Sequence, residues 1–243
     1  MTSCGGVTGN AGPLIGILAW EQGSDGQLSQ LEELKGNILH ADTFGFPLLC
    51  RRVPGASFQT VVREPRQALV EAMINAAKEL EELGVSGITT SCGFNALFQR
   101  EVSAAVRVPF FSSPLLLVPL ALASLGGADA VGVITADARY LRREHLEAVG
   151  IRETERVVTV GLEESREFTR VLDDPNARLE TSRLEAEVVE LAVRLVRSHP
   201  RIGAIVLECT DLPPFSAAIR QATRLVTLDA VTLVNLLHAG LVS

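Results

Sequence analysis

Short apolar, β-branched runs alternate along this chain with longer stretches in which apolar positions recur every three or four residues. Leu14-Ile15-Gly16-Ile17-Leu18-Ala19 predicts a first strand, and residues 46–53 a second, closed by Pro54-Gly55. A helix is predicted over residues 65–83. Pro65 sits in its first turn, Leu69, Met73, Ala76, Ala77, Leu80 and Leu83 share one face, and Gly84 ends it. Gly87-Ile88-Thr89-Thr90-Ser91 predicts the next strand, which runs straight into Cys92. The alternation then starts again, with strands over 130–135, 156–160 and 203–207 and helices over 137–149 and 179–198. The last of these strands ends at Glu208-Cys209. The most apolar window, 108–125, is broken by Pro109, Pro114 and Pro119 and reads as a short strand and a buried helix, not a membrane span. Strands alternating with helices predict an α/β fold with a mostly parallel sheet.

The two halves of the pattern read as copies of one unit. Gly16 in Ile15-Gly16-Ile17 corresponds to Gly132 in Val131-Gly132-Val133, an offset of 116 residues, and Cys92 corresponds to Cys209, an offset of 117. Each cysteine has an aromatic six residues on (Phe98, Phe215) and an aliphatic ten residues on (Val102, Ile219). A repeat this long means two similar lobes, not a solenoid array.

Composition narrows the function. At 243 residues the chain holds one large domain or two of roughly 115 residues each. It is 47 % hydrophobic and 21 % charged, which excludes intrinsic disorder. A net charge of -7 argues against a nucleic-acid partner, because phosphate binding needs a clustered positive field. The first basic residue is Lys35, so the N-terminal residues do not read as a signal peptide, and a cytoplasmic location is expected. No membrane partner is expected; a homo-oligomer is compatible with the sequence. Cys4, Cys50, Cys92 and Cys209 match no zinc spacing, and His40, His145, His199 and His238 are scattered. Gly5-Gly6-Val7-Thr8-Gly9 precedes the first strand and is no Walker loop. No metal or cofactor is therefore expected. Cys50 reads as core and Cys4 as an exposed terminal thiol.

Cys92 and Cys209 carry the chemistry. Each follows a buried strand and precedes a helix, the side of an open α/β sheet where ligands bind. Free N–H groups at a helix start favour a thiolate and can hold a carboxylate. Gly93 lets a ligand approach the backbone closely. The alternative is that both are small buried hydrophobes, but their equivalent positions in a repeat weigh against that.

Thr89-Thr90-Ser91-Cys92-Gly93 and Leu207-Glu208-Cys209-Thr210-Asp211-Leu212 resemble the two cysteine motifs of the aspartate/glutamate racemase superfamily. That group includes cofactor-independent amino-acid and hydantoin racemases, maleate isomerases and arylmalonate decarboxylases. Amino-acid racemases usually place Asn-Thr beside the first cysteine, whereas Gly93-Phe94 stand here, which leaves the substrate open.

The resemblance implies two pseudo-symmetric lobes with the active site between them. Residues 1–116 with about 228–243 would form the first lobe and 117–227 the second, the final helix (about 229–241) returning to the first. It implies a two-base reaction beside a carboxylate, one thiolate removing the α-proton and the opposite thiol reprotonating the other face. A free thiol titrates near about 8.5, so modest tuning allows both forms near neutral pH. Backbone N–H groups of Gly93, Phe94 and Thr210 would stabilise the intermediate, with Asn95 and Thr210 adding side-chain hydrogen bonds. Asp211 either supports Cys209 or caps the helix entered through Pro213-Pro214. Glu208 reads as a partly buried structural acid. Thr135 ends the second lobe's first strand and is either a ligand contact or a strand-capping residue. Trp20 and Glu21 lie at the equivalent place in the first lobe, where Trp20 reads as core or pocket wall. Thr43 and Phe44 are similar to a Thr-Phe-x-Phe-Pro stretch in some relatives. His40 and the Arg51-Arg52 pair read as solvated. The expected function is a racemase or epimerase acting on a small carboxylate-bearing substrate. The alternatives are a maleate-type isomerase, an arylmalonate-type decarboxylase, or a non-catalytic two-lobe binding protein.

Overall fold

The computed structural model describes residues 14–21, 28–65, 67–126, 129–174 and 176–242. Cys4 and the Gly5–Gly9 stretch lie outside them. The first half contains β1 (Ile15–Ala19), α1 (Ser29–Glu32), β2 (Leu48–Arg52), α2 (Ala68–Glu82), β3 (Gly87–Thr90), α3 (Gln99–Ala105), β4 (Phe110–Phe111) and α4 (Leu117–Ser124). The second contains β5 (Ala130–Thr135), α5 (Arg143–Ala148), β6 (Val157–Gly161), α6 (Arg166–Asp173), α7 (Thr181–Ser198), β7 (Ile202–Leu207), α8 (Ser216–Thr223) and β8 (Val226–Leu228), and α9 (Ala230–Ala239) follows.

Among the described residues the strands form two four-stranded parallel sheets of the same order, β2-β1-β3-β4 and β6-β5-β7-β8. Central β1 is buried on both faces, which is why it reads as a continuous apolar run, while edge strand β2 is only half-buried. Gly16 pairs with Ile88, four residues before Cys92, and Gly132 pairs with Ile205, four residues before Cys209. Each glycine admits a leucine from the helix above. A Cβ at Gly16 would stand 2.9 Å from Leu80 Cδ1, and one at Gly132 would stand 2.8 Å from Leu195 Cδ2. The matching registers bring both cysteines to the carboxyl ends of their sheets.

The largest hydrophobic cluster runs through both halves, from Leu69 and Met73 through Phe94 and Phe98 to Val188, Leu195 and Phe215. α9 packs on the first sheet, where Ala230, Val234 and Leu237 join Ile15, Ile17, Ile38 and Phe44. No described helix is long and apolar enough to cross a membrane.

Several expectations are corrected. The helix expected over 137–149 forms only at Arg143–Ala148, because Asp137 turns back to accept hydrogen bonds from the Arg139 backbone and guanidinium. α2 begins after Pro65, at Ala68. Cys50 is half-buried on the edge strand, not core. The π-helical turn Phe58–Arg63 and the polar α6 had no strong sequence pattern; Ser57 and Ser165 cap them.

Leu237→Ala should cost about 2–5 kcal/mol in a denaturant melt, the range for a buried leucine whose cavity does not refill. A loss below about 1 kcal/mol would mean that α9 contributes little to the first sheet's core.

Candidate active site

The ends of β3 and β7 face a common cleft of about 760 Å³, counting the part open to solvent. Cys92 and Cys209 both line it, with Gly93, Phe94, Thr210, Asp211, Trp20 and Glu208. Cys92 is extended and opens a 3₁₀ turn, Gly93–Phe98, that leads into α3. The backbone N–H groups of Phe94 and Asn95 favour the ionised form of its sulfur, and that of Asp211 favours the ionised form of the Cys209 sulfur. Neither cysteine enters an α-helix directly. Residues 210–212 turn before a second 3₁₀ segment, Pro213–Phe215, precedes α8.

Contacts between the halves fix the two loops. A Cβ on Gly93 would overlap the Glu208 main-chain oxygen and Oε1, so glycine alone admits this approach. Thr210 Oγ1 donates to the Ser91 carbonyl, and Asn37 Nδ2 donates to Asp211 Oδ1 at 2.8 Å. Phe94 meets the edge of buried His145 from α5, with ring centroids 5.3 Å apart. Burial lowers His145 to about 4, so that ring is neutral.

Other expected site residues lie elsewhere. Thr135 is wholly buried behind the pocket wall, where its Oγ1 donates to Glu208 Oε2 at 2.6 Å. Thr43 does not line the cleft; it ties its own loop by donating to the Asn37 carbonyl at 2.6 Å and accepting from Gly36 N–H. Asn95 is buried off the lining, and its backbone N–H also bonds the Cys92 carbonyl. Asp211 does not cap the Pro213–Phe215 segment, whose capping residue is Leu212. Trp20 is half-buried on the wall, edge-on to Phe58 at 6.2 Å. Arg51 pairs with Glu79, and Arg52 makes a two-pronged pair with Glu32 at the cleft rim.

Glu208 departs most from expectation. It is 0 % exposed, lines the cleft, and its Oε1 has no hydrogen-bond partner among the described residues. Burial pushes its carboxyl up to about 8, against the opposing Thr135 bond. The available signal was its position: a carboxyl closing an otherwise apolar buried strand, Ile202–Leu207.

The electrostatics also correct the expected thiol tuning. Burial, then Glu208 and Asp211, raise Cys92; burial, then Asp211 and Glu208, raise Cys209. The N–H groups at both sulfurs do not overcome this, so both are thiols at neutral pH. Among the described residues, four carboxyl residues (Glu21, Glu32, Glu208, Asp211) and one guanidinium (Arg52) line the cleft, with the aromatic rings of Trp20, Phe58, Phe94 and Phe168. No group of three or more His, Cys, Asp or Glu among the described residues is arranged to hold a metal.

Residues 40–236 match the Asp/Glu/hydantoin racemase family model. The chain belongs to this family. It is 31 % identical over 215 residues to a dimethylsulfoniopropionate lyase from Durusdinium sp. clade D, covering 86 % of this chain and 71 % of that protein. It spans 56 % of dimethylsulfoniopropionate lyase 3 of Emiliania huxleyi (strain CCMP1516), at 32 % identity. Two solved structures share the fold. Unliganded arylmalonate decarboxylase aligns at TM-score 0.57 and 17 % identity, over 94 % of this chain and 92 % of its own. Allantoin racemase from Klebsiella pneumoniae aligns at 0.59 and 17 %, over 95 % and 89 %. A racemase and a decarboxylase thus share this fold while the lyases match it in sequence, and the fold alone does not separate their activities.

Both cysteines should be alkylated by iodoacetamide at pH 7 at least about tenfold more slowly than an unstructured cysteine peptide, with rates rising above pH 9. Peptide mass mapping separates them from Cys4 and Cys50. Labelling as fast as the free peptide at pH 7 would contradict the raised thiols.

Proposed function

We propose that this protein removes the proton beside the carboxylate of a small acid bearing a β-cationic leaving group, and so acts as a lyase of the dimethylsulfoniopropionate type. The observation that carries this reading is the union of two buried thiols with an aromatic, carboxyl-rich wall in one cleft. A sulfonium is attracted to aromatic faces and to carboxylates. Once bound, its positive charge favours a thiolate beside it and lowers the cost of ionising a thiol that burial holds neutral. An anionic substrate without a cation lacks that effect.

The chemistry balances without a cofactor. One cysteine thiolate accepts the α-proton, the carbon–hydrogen electron pair becomes the Cα–Cβ double bond, and the Cβ–S bond breaks with its pair leaving on sulfur. The products are dimethyl sulfide, acrylate and a thiol that returns its proton to solvent. Charge building on the substrate carboxylate is met by the N–H groups of the Cys92 and Cys209 loops. The curated relatives named as lyases of this compound support the reading.

A second reading is racemisation, favoured by one thiol standing on each half of the cleft. The two separate in one experiment. With dimethylsulfoniopropionate the protein should release dimethyl sulfide and acrylate, quantified by gas chromatography. Cys92→Ser or Cys209→Ser, whichever removes the base, should cut the rate roughly 10²–10⁴-fold. No dimethyl sulfide, together with deuterium entering Cα of aspartate in deuterium oxide, would shift the conclusion to racemisation.

A further inference from the structure

We propose that Glu208, a lining residue of the cleft between the two cysteine loops, is a substrate-binding acid whose carboxyl donates a hydrogen bond to the substrate carboxylate. This rests on the reading that the cleft takes a carboxylate, and not on which bond is then broken.

Its two oxygens are unequal. Oε2 accepts from Thr135 Oγ1 at 2.6 Å, whereas Oε1 is buried with no partner among the described residues and lies against Gly93. An ionised carboxylate there would leave a charged oxygen dry and unpaired, a costly state. A protonated carboxyl instead holds an O–H on Oε1, beside Gly93 in the cleft lining, as a donor without an acceptor among the described residues. Among the described residues that line the cleft with it, the one cation is Arg52, which is paired with Glu32. Cys92 comes from the loop after β3, Cys209 and Asp211 from its own loop, and Glu21 and the Glu32–Arg52 pair from the remaining lining; Asp137 beyond β5 is turned to Arg139. Burial keeps the carboxyl neutral up to about pH 8. A neutral donor binds an anion without adding a negative charge, and its bond strengthens as the carboxylate gains charge in an enediolate-like transition state.

The sign follows. The protonated form binds, so affinity is full below about pH 8 and falls as pH rises through it. Propionate, which can neither eliminate nor racemise detectably, is the probe, titrated calorimetrically at pH 6, 7.5 and 9 in buffers of different ionisation enthalpy. Wild type should lose affinity by up to about tenfold per pH unit above 8 and take up close to one proton at pH 9. Glu208→Gln, which keeps a donor but cannot titrate, should bind propionate with no proton uptake at any of these pH values. Thr135→Val removes the bond that holds the carboxyl down and should move the wild-type midpoint upward, which keeps the test intact if Glu208→Gln fails to fold. Flat wild-type affinity from pH 6 to 9 would overturn the proposal. So would the same proton uptake in Glu208→Gln, an unmoved midpoint in Thr135→Val, or no saturable binding to wild type at pH 6. Absence of dimethyl sulfide release would overturn the lyase reading and leave this result standing.

Discussion

The site depends on one close approach, that of the Gly93 backbone to Glu208. Two parallel sheets of identical order could lean together in many ways. This pair meets where one loop lacks a side chain and the other carries a carboxyl that fills the space. Around that contact the Thr210–Ser91 and Asn37–Asp211 hydrogen bonds tie each cysteine loop to the opposite half. Phe94, seated against His145 of α5, does the same from the apolar side. The cleft is thus closed at its floor by polar and aromatic contacts that each need both halves present.

Burial does two opposed things here. It brings thiols, carboxyls and rings out of water, where electrostatic effects on a bound molecule are strongest. It also suppresses the ionised thiol that acid–base chemistry needs, and the neighbouring carboxyls deepen the suppression. With both thiols held neutral, acid–base chemistry at this site calls for compensating positive charge beside them. That property separates it from a cleft lined by arginines, which would bind carboxylates readily and keep its thiols ionised.

The strands were legible because a buried parallel strand must be apolar on both faces, and Ile15–Ala19 and Ile202–Leu207 satisfy that without interruption. The two cysteines were legible because each ends such a run. Glu208 was not, since its burial is decided by Gly93 115 residues earlier in the other half, a distance no local pattern spans. Thr135 was placed at the right strand end but given the wrong neighbour: it serves Glu208 and not the cleft. α6 escaped because a sequence such as Arg166-Glu167-Phe168-Thr169 presents only a narrow apolar stripe, Phe168 and Val171, and owes its start to the Ser165 cap. The segment 137–142 read as helical because its apolar spacing fits, yet the Asp137–Arg139 ion pair closes it into a turn.

The position of α9 bears on how the molecule is made. Ala230, Val234 and Leu237 complete the core beneath Ile15 and Ile17, so the oldest part of the chain is covered by one of the youngest. On a ribosome, β5 through β8 emerge as an uninterrupted run and can collapse as soon as they are out. The first sheet must wait, one face bare, until α9 clears the exit tunnel. Until then the face of β1 that Ala230, Val234 and Leu237 cover has no partner of its own.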